Sequence, residues 1–232
     1  ECTPHEWLEE IGWFDSATSI AHATEHTEED IKILARTGVS VTHSPSCHMR
    51  LGYPVAPIPQ MVKAGITVGI GVDGGSSNDS GDMLAELRNT MYVHRIRNVH
   101  KNVSFQDWFS PEDVFLMATN GGAKLLNRED IGSLEVGKAA DIILINMNQV
   151  AYASAMSDPL GALVYCGCNH IVDTSIINGK IVVKNGHLIT ADEEEIVADA
   201  NRVTKRILDN VKKRTGIDYC REYEIPDKCE KI

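Results

Sequence analysis

The sequence predicts an α/β protein in which parallel βαβ units are followed by a second region rich in strands. Three short apolar runs, at 17–22, 39–43 and 66–73, have the character of buried strands. A helical segment follows each run. This alternation is typical of a parallel sheet, because a parallel connection needs a crossover of about a dozen residues or more.

The segment after the first run, at 27–37, is predicted to be an amphipathic helix. Thr27 is a residue type that caps helix N-termini, and acidic residues fill the first turn, where the helix dipole favours negative charge. Ile31 and Leu34 supply the apolar stripe, and Gly38 is typical of a helix end.

The second and third units follow the same order. A loop rich in Ser, Pro and Gly comes after 39–43, and a helix is then predicted over 57–64, with Gly65 at its end. The third strand leads through a loop rich in Gly, Ser and Asn into a long helix over 81–97.

Beyond Ser110 the pattern changes. Ser110 is a suitable cap, with Pro111 at the first helical position, for two short helices. The chain becomes strand-like over 131–146, and apolar residues recur at helical spacing over 192–214. No pattern stands out in the tail that ends at Ile232.

The segment 173–189 carries the clearest turn signals. Asn178-Gly179 and Asn185-Gly186 each lie between apolar runs. Asn-Gly pairs favour the left-handed backbone of a two-residue turn, so antiparallel hairpins are predicted here.

Composition excludes several classes of protein. The 232 residues include 22 Lys and Arg against 33 Asp and Glu, a formal charge of −11, with no basic stretch that would neutralise nucleic-acid phosphates. No apolar run approaches the roughly 18 residues that span a bilayer, so neither a nucleic-acid nor a membrane partner is expected. The N-terminus has no signal-peptide pattern and no initiator Met.

The six cysteines are scattered along the chain, which favours free thiols and a cytoplasmic protein over a disulfide framework. Cys166 and Cys168 have one residue between them, fewer than in common zinc knuckles. Cys220 and Cys229 are close enough in sequence to pair, although nothing requires it.

Three residues of metal-ligand type stand at the ends of the predicted strands: His22, His43 and Asp73. In parallel α/β folds the carboxyl ends of the strands share one rim, where functional groups cluster. Asp73, followed by two glycines, suits metal ligation, and a turn-capping Asp is the alternative. His22 suits a metal ligand or a proton shuttle, and a buried structural histidine is the alternative.

The remaining histidines near these strand ends carry weaker signals. His26 follows in a strand-to-helix loop, so it is expected to cap the helix or contact solvent rather than form a helical metal-binding pair with His22. His43 and His48 bracket one loop, where one of them lines a pocket or His43 holds the loop by hydrogen bonding.

Several segments together resemble the amidohydrolase superfamily, and within it the aminohydrolases that deaminate purines and related heterocycles. They are SIAHATEHTEEDI, HSPSCHMRLGYPVAPI, GITVGIGVDGGSSNDSGDMLAELR, IGSLEVGKAADIILIN, DPLGALVYCG and VDTSIINGKIVVKNGHLI. The resemblance covers residues 5–215. The GVDGGSSND and DPLGALVYCG versions are similar to the 8-oxoguanine deaminase and hydroxyatrazine aminohydrolase group.

The resemblance implies the C-terminal part of a distorted (β/α)8 TIM barrel with a small β-sandwich. The last three βα units and the closing helices would occupy 1–130, a sandwich segment 131–190, and a C-terminal helix and tail 191–232. The family's H-x-H after the first strand and H-x-x-E after the fifth have no counterpart here. Five barrel strands, with most metal ligands, are therefore expected outside this chain.

The resemblance also implies roles for single residues. Asp73 matches the family's metal ligand and proton shuttle, for one zinc ion or alternatively iron. His22 matches a residue that polarises the attacking water or the tetrahedral oxygen, or that is itself a ligand in binuclear relatives. His48, Ser77 and Asn78 are expected to bind the substrate.

The expected function is metal-dependent hydrolytic deamination of a purine-like ring of the 8-oxoguanine type, by water that the metal activates. A triazine amino- or chlorohydrolase is one alternative. A noncatalytic or phosphate-binding barrel protein is another, with Gly74-Gly75 as a weak phosphate signal. Cys47 and His48 stand where this group often has a small residue and Asn, so the identity of the substrate ring stays open. Formation of a homo-oligomer also stays open.

Overall fold

A computed structural model describes residues 2–98, 103–167 and 172–220. Its first sheet has three parallel strands in the order β1, β2, β3. They are β1 (Ser19–Ala21), β2 (Ser40–His43) and β3 (Val68–Ile70). Val41 lies between Ile20 on one side and Val68 on the other, so all three strands run in register toward the same rim. The predicted parallel arrangement is confirmed.

Within the described residues up to position 98, five helices accompany these strands. They are α1 (Pro4–Glu10), α2 (Glu28–Thr37), α3 (Pro45–Leu51), α4 (Ile58–Lys63) and α5 (Met83–Asn98). The predicted ends of α2 are confirmed: Thr27 accepts a hydrogen bond from the N–H of Asp30, and Gly38 takes the left-handed backbone with φ 80°.

Helix α3 lies where the sequence indicated only a loop, and that expectation was wrong. Pro45 occupies the first turn, where its missing N–H costs nothing, and Gly52 ends the helix with φ 72°. Its seven residues make about two turns, too few for an apolar periodicity to appear in the sequence.

After α5, the chain forms a further helical layer that packs against β3. It comprises α6 (Pro111–Leu116), a π-helical turn (Met117–Gly121) and α7 (Gly122–Leu125). Gly121 packs against the sheet so closely that a Cβ there would lie 2.2 Å from the carbonyl oxygen of Val68. The glycine therefore allows helix and strand backbones to touch, which is a structural role.

A single apolar core holds this part of the chain together. Its fully buried members include Leu34, Val41, Met61 and Met91. Helix α8 (Pro159–Cys166), which comes much later in the sequence, packs on α5 and α6 and adds Val164 to the same core. We call β1–β3, α1–α7 and α8 the parallel unit.

The second sheet is antiparallel, with four strands in sequence order. They are β4 (Ile142–Ile145), β5 (Val172–Ile177), β6 (Lys180–Lys184) and β7 (His187–Leu188). Both Asn-Gly pairs form the predicted turns, with φ 47° at Asn178 and 53° at Asn185. Helix α9 (Glu193–Thr215) follows, capped by Asp192. We call β4–β7 and α9 the antiparallel region.

No helix among the described residues is both long and apolar enough to cross a membrane. The described cysteines, Cys2, Cys47, Cys166 and Cys220, are free thiols. Cys168, Cys229 and the tail beyond 220 lie outside the described residues, so the spacing arguments made for those cysteines stay predictions.

Candidate metal centre

The three strand-end residues singled out in the sequence lie on one rim of the parallel sheet. His22 directly follows β1, His43 ends β2, and Asp73 comes three residues after β3. His22 and Asp73 both take left-handed backbone conformations, with φ 71° and 63°. Such conformations are costly for residues other than glycine and cluster at functional sites.

His22, Asp73 and Cys47 bring three potential ligand atoms together. One ring nitrogen, one carboxylate oxygen and the sulfur all lie within 4.8 Å of one another. His22 Nε2 and Asp73 Oδ2 are 3.7 Å apart. Imidazole, carboxylate and thiolate are the groups that bind zinc in proteins, so the donor set fits a divalent metal of this kind.

Hydrogen bonds keep the Asp73 carboxylate ionised. The thiol of Cys47 and the N–H of Gly74, whose nitrogen is 2.7 Å from Oδ1, lower the pKa of Asp73 and outweigh the opposing effect of burial. Conversely, burial and the hydrogen bond to Asp73 raise the pKa of the Cys47 thiol. At neutral pH this centre therefore holds a carboxylate and a protonated thiol.

His48 sets the orientation of His22. Its Nε2 lies 3.0 Å from Nδ1 of His22, an arrangement that leaves Nε2 of His22 facing Asp73. Burial, followed by the proximity of His22, lowers the pKa of His48, which is 1% exposed. A neutral His48 can share one hydrogen with His22 and so select its tautomer.

His43 continues this row of imidazoles into the core instead of lining a pocket. Its Nε2 is 3.3 Å from Nε2 of His94 on α5, and both side chains are buried. Burial is the largest cause that lowers the pKa of His94 to about 3, followed by the nearby Arg97 guanidinium. Burial is also the main cause that lowers the pKa of His43 well below its usual value. The side-chain hydrogen bond of His43 thus goes to α5, so the structure does not show His43 holding the loop that follows β2. Of His43 and His48, it is His48 that lines a cavity.

A cavity of about 470 Å³ opens in front of the candidate centre. Its polar wall comprises His22, Cys47, His48, Asp73 and Ser77, and its other lining residues are Thr24, Glu25, Leu51, Tyr53 and Pro54. A planar heterocycle would find both apolar contacts and polar groups here.

Ser77 and Asn78 are placed differently. Ser77 lines the cavity and donates from Oγ to the carbonyl of Gly74 over 3.0 Å. The amide of Asn78 instead donates to Glu86 over 2.8 Å and does not line that cavity. The substrate-binding roles of His48, Ser77 and Asn78 stay predictions.

Glu86 is a residue that sequence reasoning missed. It is 0% exposed on α5 and accepts hydrogen bonds from the N–H of Ser46 at 3.2 Å and from Asn78. Burial raises the pKa of Glu86. One buried carboxyl thus joins α3, which carries Cys47, to the loop after Asp73. No motif indicates this role, because Ser46 lies forty residues away in sequence.

His26 does not cap α2, and it does not simply contact solvent, so that expectation was wrong. Thr27 is the cap, and Nε2 of His26 lies 2.8 Å from Nε2 of His5. His5 in turn contacts Asp30 over 2.9 Å. Burial and the neighbouring His5 lower the pKa of His26.

Comparison with known proteins identifies the family. A model of the amidohydrolase family matches residues 1–182. The chain is 38% identical to a 5-methylthioadenosine/S-adenosylhomocysteine deaminase of Desulforudis audaxviator, over 90% of this chain and 48% of that protein. It is 35% identical to a hydroxydechloroatrazine ethylaminohydrolase of a Pseudomonas species, over 93% of this chain and 45% of that protein.

Solved structures give the same result. An atrazine chlorohydrolase of Arthrobacter aurescens, complexed with zinc, is similar at a TM-score of 0.80 and 35% identity, over 86% of this chain and 43% of that one. An adenosine deaminase of Xanthomonas campestris with bound zinc also has a TM-score of 0.80, at 30% identity over 88% and 45% of the two chains. The chain thus spans about half the length of the relatives it matches. It belongs to the amidohydrolase family.

Proposed function

We propose that this member of the amidohydrolase family is part of a metal-dependent hydrolase that removes an amino group from a purine-like or triazine-like ring. The observation that carries the proposal is the placement of His22 and Asp73 side by side on one sheet rim, facing a cavity of about 470 Å³. The deaminases and triazine hydrolases among the relatives support the same reaction class.

We further propose that the chain is the C-terminal part of a (β/α)8 barrel with a small β-sandwich. Among the described residues, β1 and β3 each pair with β2 alone, so the parallel sheet has two open edges that a closed barrel would pair. The antiparallel sheet would form one layer of the sandwich. The proposed divisions are 1–130, 131–190 and 191–232.

Asp73 and His22 have different roles in the proposed reaction. Asp73 stays ionised, so it is suited to take a proton from the attacking water and to pass it to the departing amine nitrogen. His22, held by His48, presents Nε2 where negative charge would develop on the oxygen. The balance is simple: a carbon–oxygen bond forms, a carbon–nitrogen bond breaks, and ammonia leaves.

A single divalent metal, zinc first and iron as the alternative, would be held by Asp73 with His22 beside it. When bound, such an ion lowers the pKa of water from about 15.7 toward 7 and so makes hydroxide available at neutral pH. Zinc in two of the similar structures supports this assignment.

The identity of the substrate ring is the most specific part of the proposal. The resemblance of 71–79 to 8-oxoguanine deaminases favours an oxidised purine, whereas the names of the relatives point to adenosine derivatives and triazines. A triazine hydrolase is therefore the second candidate. Free thiols support a cytoplasmic location, and homo-oligomer formation stays a prediction.

The test is a substrate panel on the full-length, zinc-loaded enzyme. Ammonia release is measured with 8-oxoguanine, 5′-methylthioadenosine and adenosine. Alkylamine release is measured with hydroxyatrazine, whose amino groups carry alkyl substituents. Each assay is run with and without prior treatment with a chelator. We expect release from at least one ring, loss after chelation and recovery with added zinc. Zinc-loaded enzyme that releases neither ammonia nor an alkylamine from any of them would favour the noncatalytic alternative.

A further inference from the structure

We propose that Glu25 is a specificity-determining residue of the cavity, whose carboxylate accepts hydrogen bonds from N–H groups on the edge of the ring and repels anionic ligands. The inference rests on the proposed function, because it concerns the ring that the same cavity would bind. It narrows the substrate class to planar rings that are neutral or cationic and present adjacent N–H donors.

Glu25 lies on the loop between β1 and α2, three residues after His22. It is exposed and lines the cavity of about 470 Å³. Its side chain makes no ion pair or hydrogen bond with any other described residue. Asp73, by contrast, already accepts hydrogen bonds from the N–H of Gly74 and the thiol of Cys47. The carboxylate of Glu25 is therefore available to accept hydrogen bonds from a ligand.

The lining of the cavity is acidic and has no compensating cation. Among the described lining residues, Glu25 and Asp73 are the two carboxylates, and none is Lys or Arg. Arg50 precedes the lining residue Leu51, but its Nε bonds Asp79 over 2.7 Å and it lines a separate cavity of about 280 Å³. A divalent metal beside Asp73 would offset that carboxylate and leave Glu25 as the unbalanced charge. Such a charge attracts cations and N–H donors and lowers the affinity for anions.

The chemistry of an amino-substituted heterocycle matches this carboxylate. Amino groups and ring N–H groups of purines and triazines donate in the plane of the ring. Where two such donors are adjacent, they give a carboxylate two parallel hydrogen bonds, as a guanidinium does. Leu51, Tyr53 and Pro54 supply the apolar lining against which the face of a ring can pack.

Three planar ligands of nearly the same shape provide the test: cationic benzamidine with paired N–H donors, neutral benzamide and anionic benzoate. Their dissociation constants for the full-length, zinc-loaded protein are measured by isothermal titration calorimetry. Glu25→Gln should weaken benzamidine and strengthen benzoate, so that the ratio of the two constants changes on the order of tenfold, whereas benzamide should bind both proteins equally. The metal is the same in both proteins, so the change in the ratio isolates Glu25.

Glu28→Gln is the matched control. Glu28 is an exposed carboxylate in the first turn of α2 and does not line the cavity. The three dissociation constants should not change in this variant. The effect of Glu25→Gln should also shrink in about 1 M salt, where the screening length falls to about 3 Å.

An unchanged ratio in Glu25→Gln would overturn the proposal, and so would an equal loss of affinity for all three ligands, because that would mark a structural role. Binding needs no turnover, so the substrate panel tests the proposed function separately. Release of ammonia or an alkylamine together with an unchanged ratio would overturn the role of Glu25 and leave the proposed function standing. A changed ratio without turnover of any ring would support charge selection by Glu25 and remove the proposed function.

Discussion

The parallel unit and the antiparallel region are built on opposite principles. In the parallel unit, side chains such as Leu34, Val41 and Met61 are completely buried in one core. In the antiparallel region no residue of the strands or of α9 is buried, and Ile143, Ile181 and similar side chains are about half exposed. Backbone ladders and turns, rather than packing, define that second sheet in this chain.

The difference explains where the candidate centre lies. A ligand set needs side chains held in one geometry, and close-packed surroundings supply that restraint. Every residue of the centre comes from the parallel unit. Cys47, which bonds Asp73, and Asn78, which bonds Glu86, are both buried. The antiparallel region contributes no residue to the cavity lining.

The largest expected effect separates the two regions by function. Asp73→Asn in the full-length protein should reduce the rate of ammonia release on the order of 10³-fold, about 4 kcal/mol of barrier, because the proposed metal ligand and proton acceptor would be lost together. Asp199→Asn, which removes an exposed ion pair with Arg202 on α9, should leave the rate unchanged. Steady-state kinetics and metal content measure both. Equal losses in the two variants would refute the assignment of the site to the parallel unit.

The second prediction concerns stability and follows from the difference in burial between the two regions. Leu34→Ala, at a side chain that is 0% exposed, should lower the free energy of unfolding by about 3 kcal/mol. Ile181→Ala, at a side chain that is 45% exposed in β6, should lower it by less than about 1 kcal/mol. Denaturant titration of the full-length enzyme compares them. A larger loss for Ile181→Ala would mean that the antiparallel region is packed in the complete protein.

Two bridging carboxylates sharpen the comparison further. Glu86→Ala leaves the N–H of Ser46 and the amide of Asn78 buried without an acceptor, which should cost about 2 kcal/mol of stability and raise KM for the substrate. Glu193→Ala removes a comparable bond to the N–H of Leu188, but at an exposed position. Water replaces that acceptor, so unfolding and KM should barely change. Matching shifts in the two variants would contradict the role given to burial.

The smallest effect is a pH dependence that belongs to the parallel unit. The pKa of His94 is lowered from 6.5 to about 3, so below pH 6.5 the unfolded chain binds a proton that the folded chain does not. Stability should therefore fall by about 1 kcal/mol between pH 7 and pH 5.5 through this residue. His94→Gln should flatten that slope, whereas His187→Gln, at an exposed residue of β7, should not. An unchanged slope in His94→Gln would show that His94 does not cause it.

The elements that the sequence predicted are those with local signals. Thr27 and Gly38 delimit α2 through bonds within a few residues, and the Asn-Gly pairs carry their own backbone preference. Strand ends were enough to place His22 and Asp73 on one rim. Short helices such as α3 were not predicted, because two helical turns are too few to show an apolar periodicity in the sequence.

Contacts distant in sequence could not be predicted. Cys47 reaches Asp73 across twenty-six positions, and Glu86 reaches Ser46 across forty. His94 meets His43 from a helix whose sequence shows no special motif. Such partners depend on how α3 and α5 pack on the sheet, and a single sequence carries no record of that packing.

The left-handed backbone at His22 and Asp73 implies a trade-off between durability and activity. Each of these residues holds a conformation that costs about 1–2 kcal/mol for any side chain with a Cβ, and glycine would relieve it. The most stable version of this rim would therefore lack both functional groups. Selection for thermostable variants should therefore enrich glycine at these two positions, unless activity is selected at the same time.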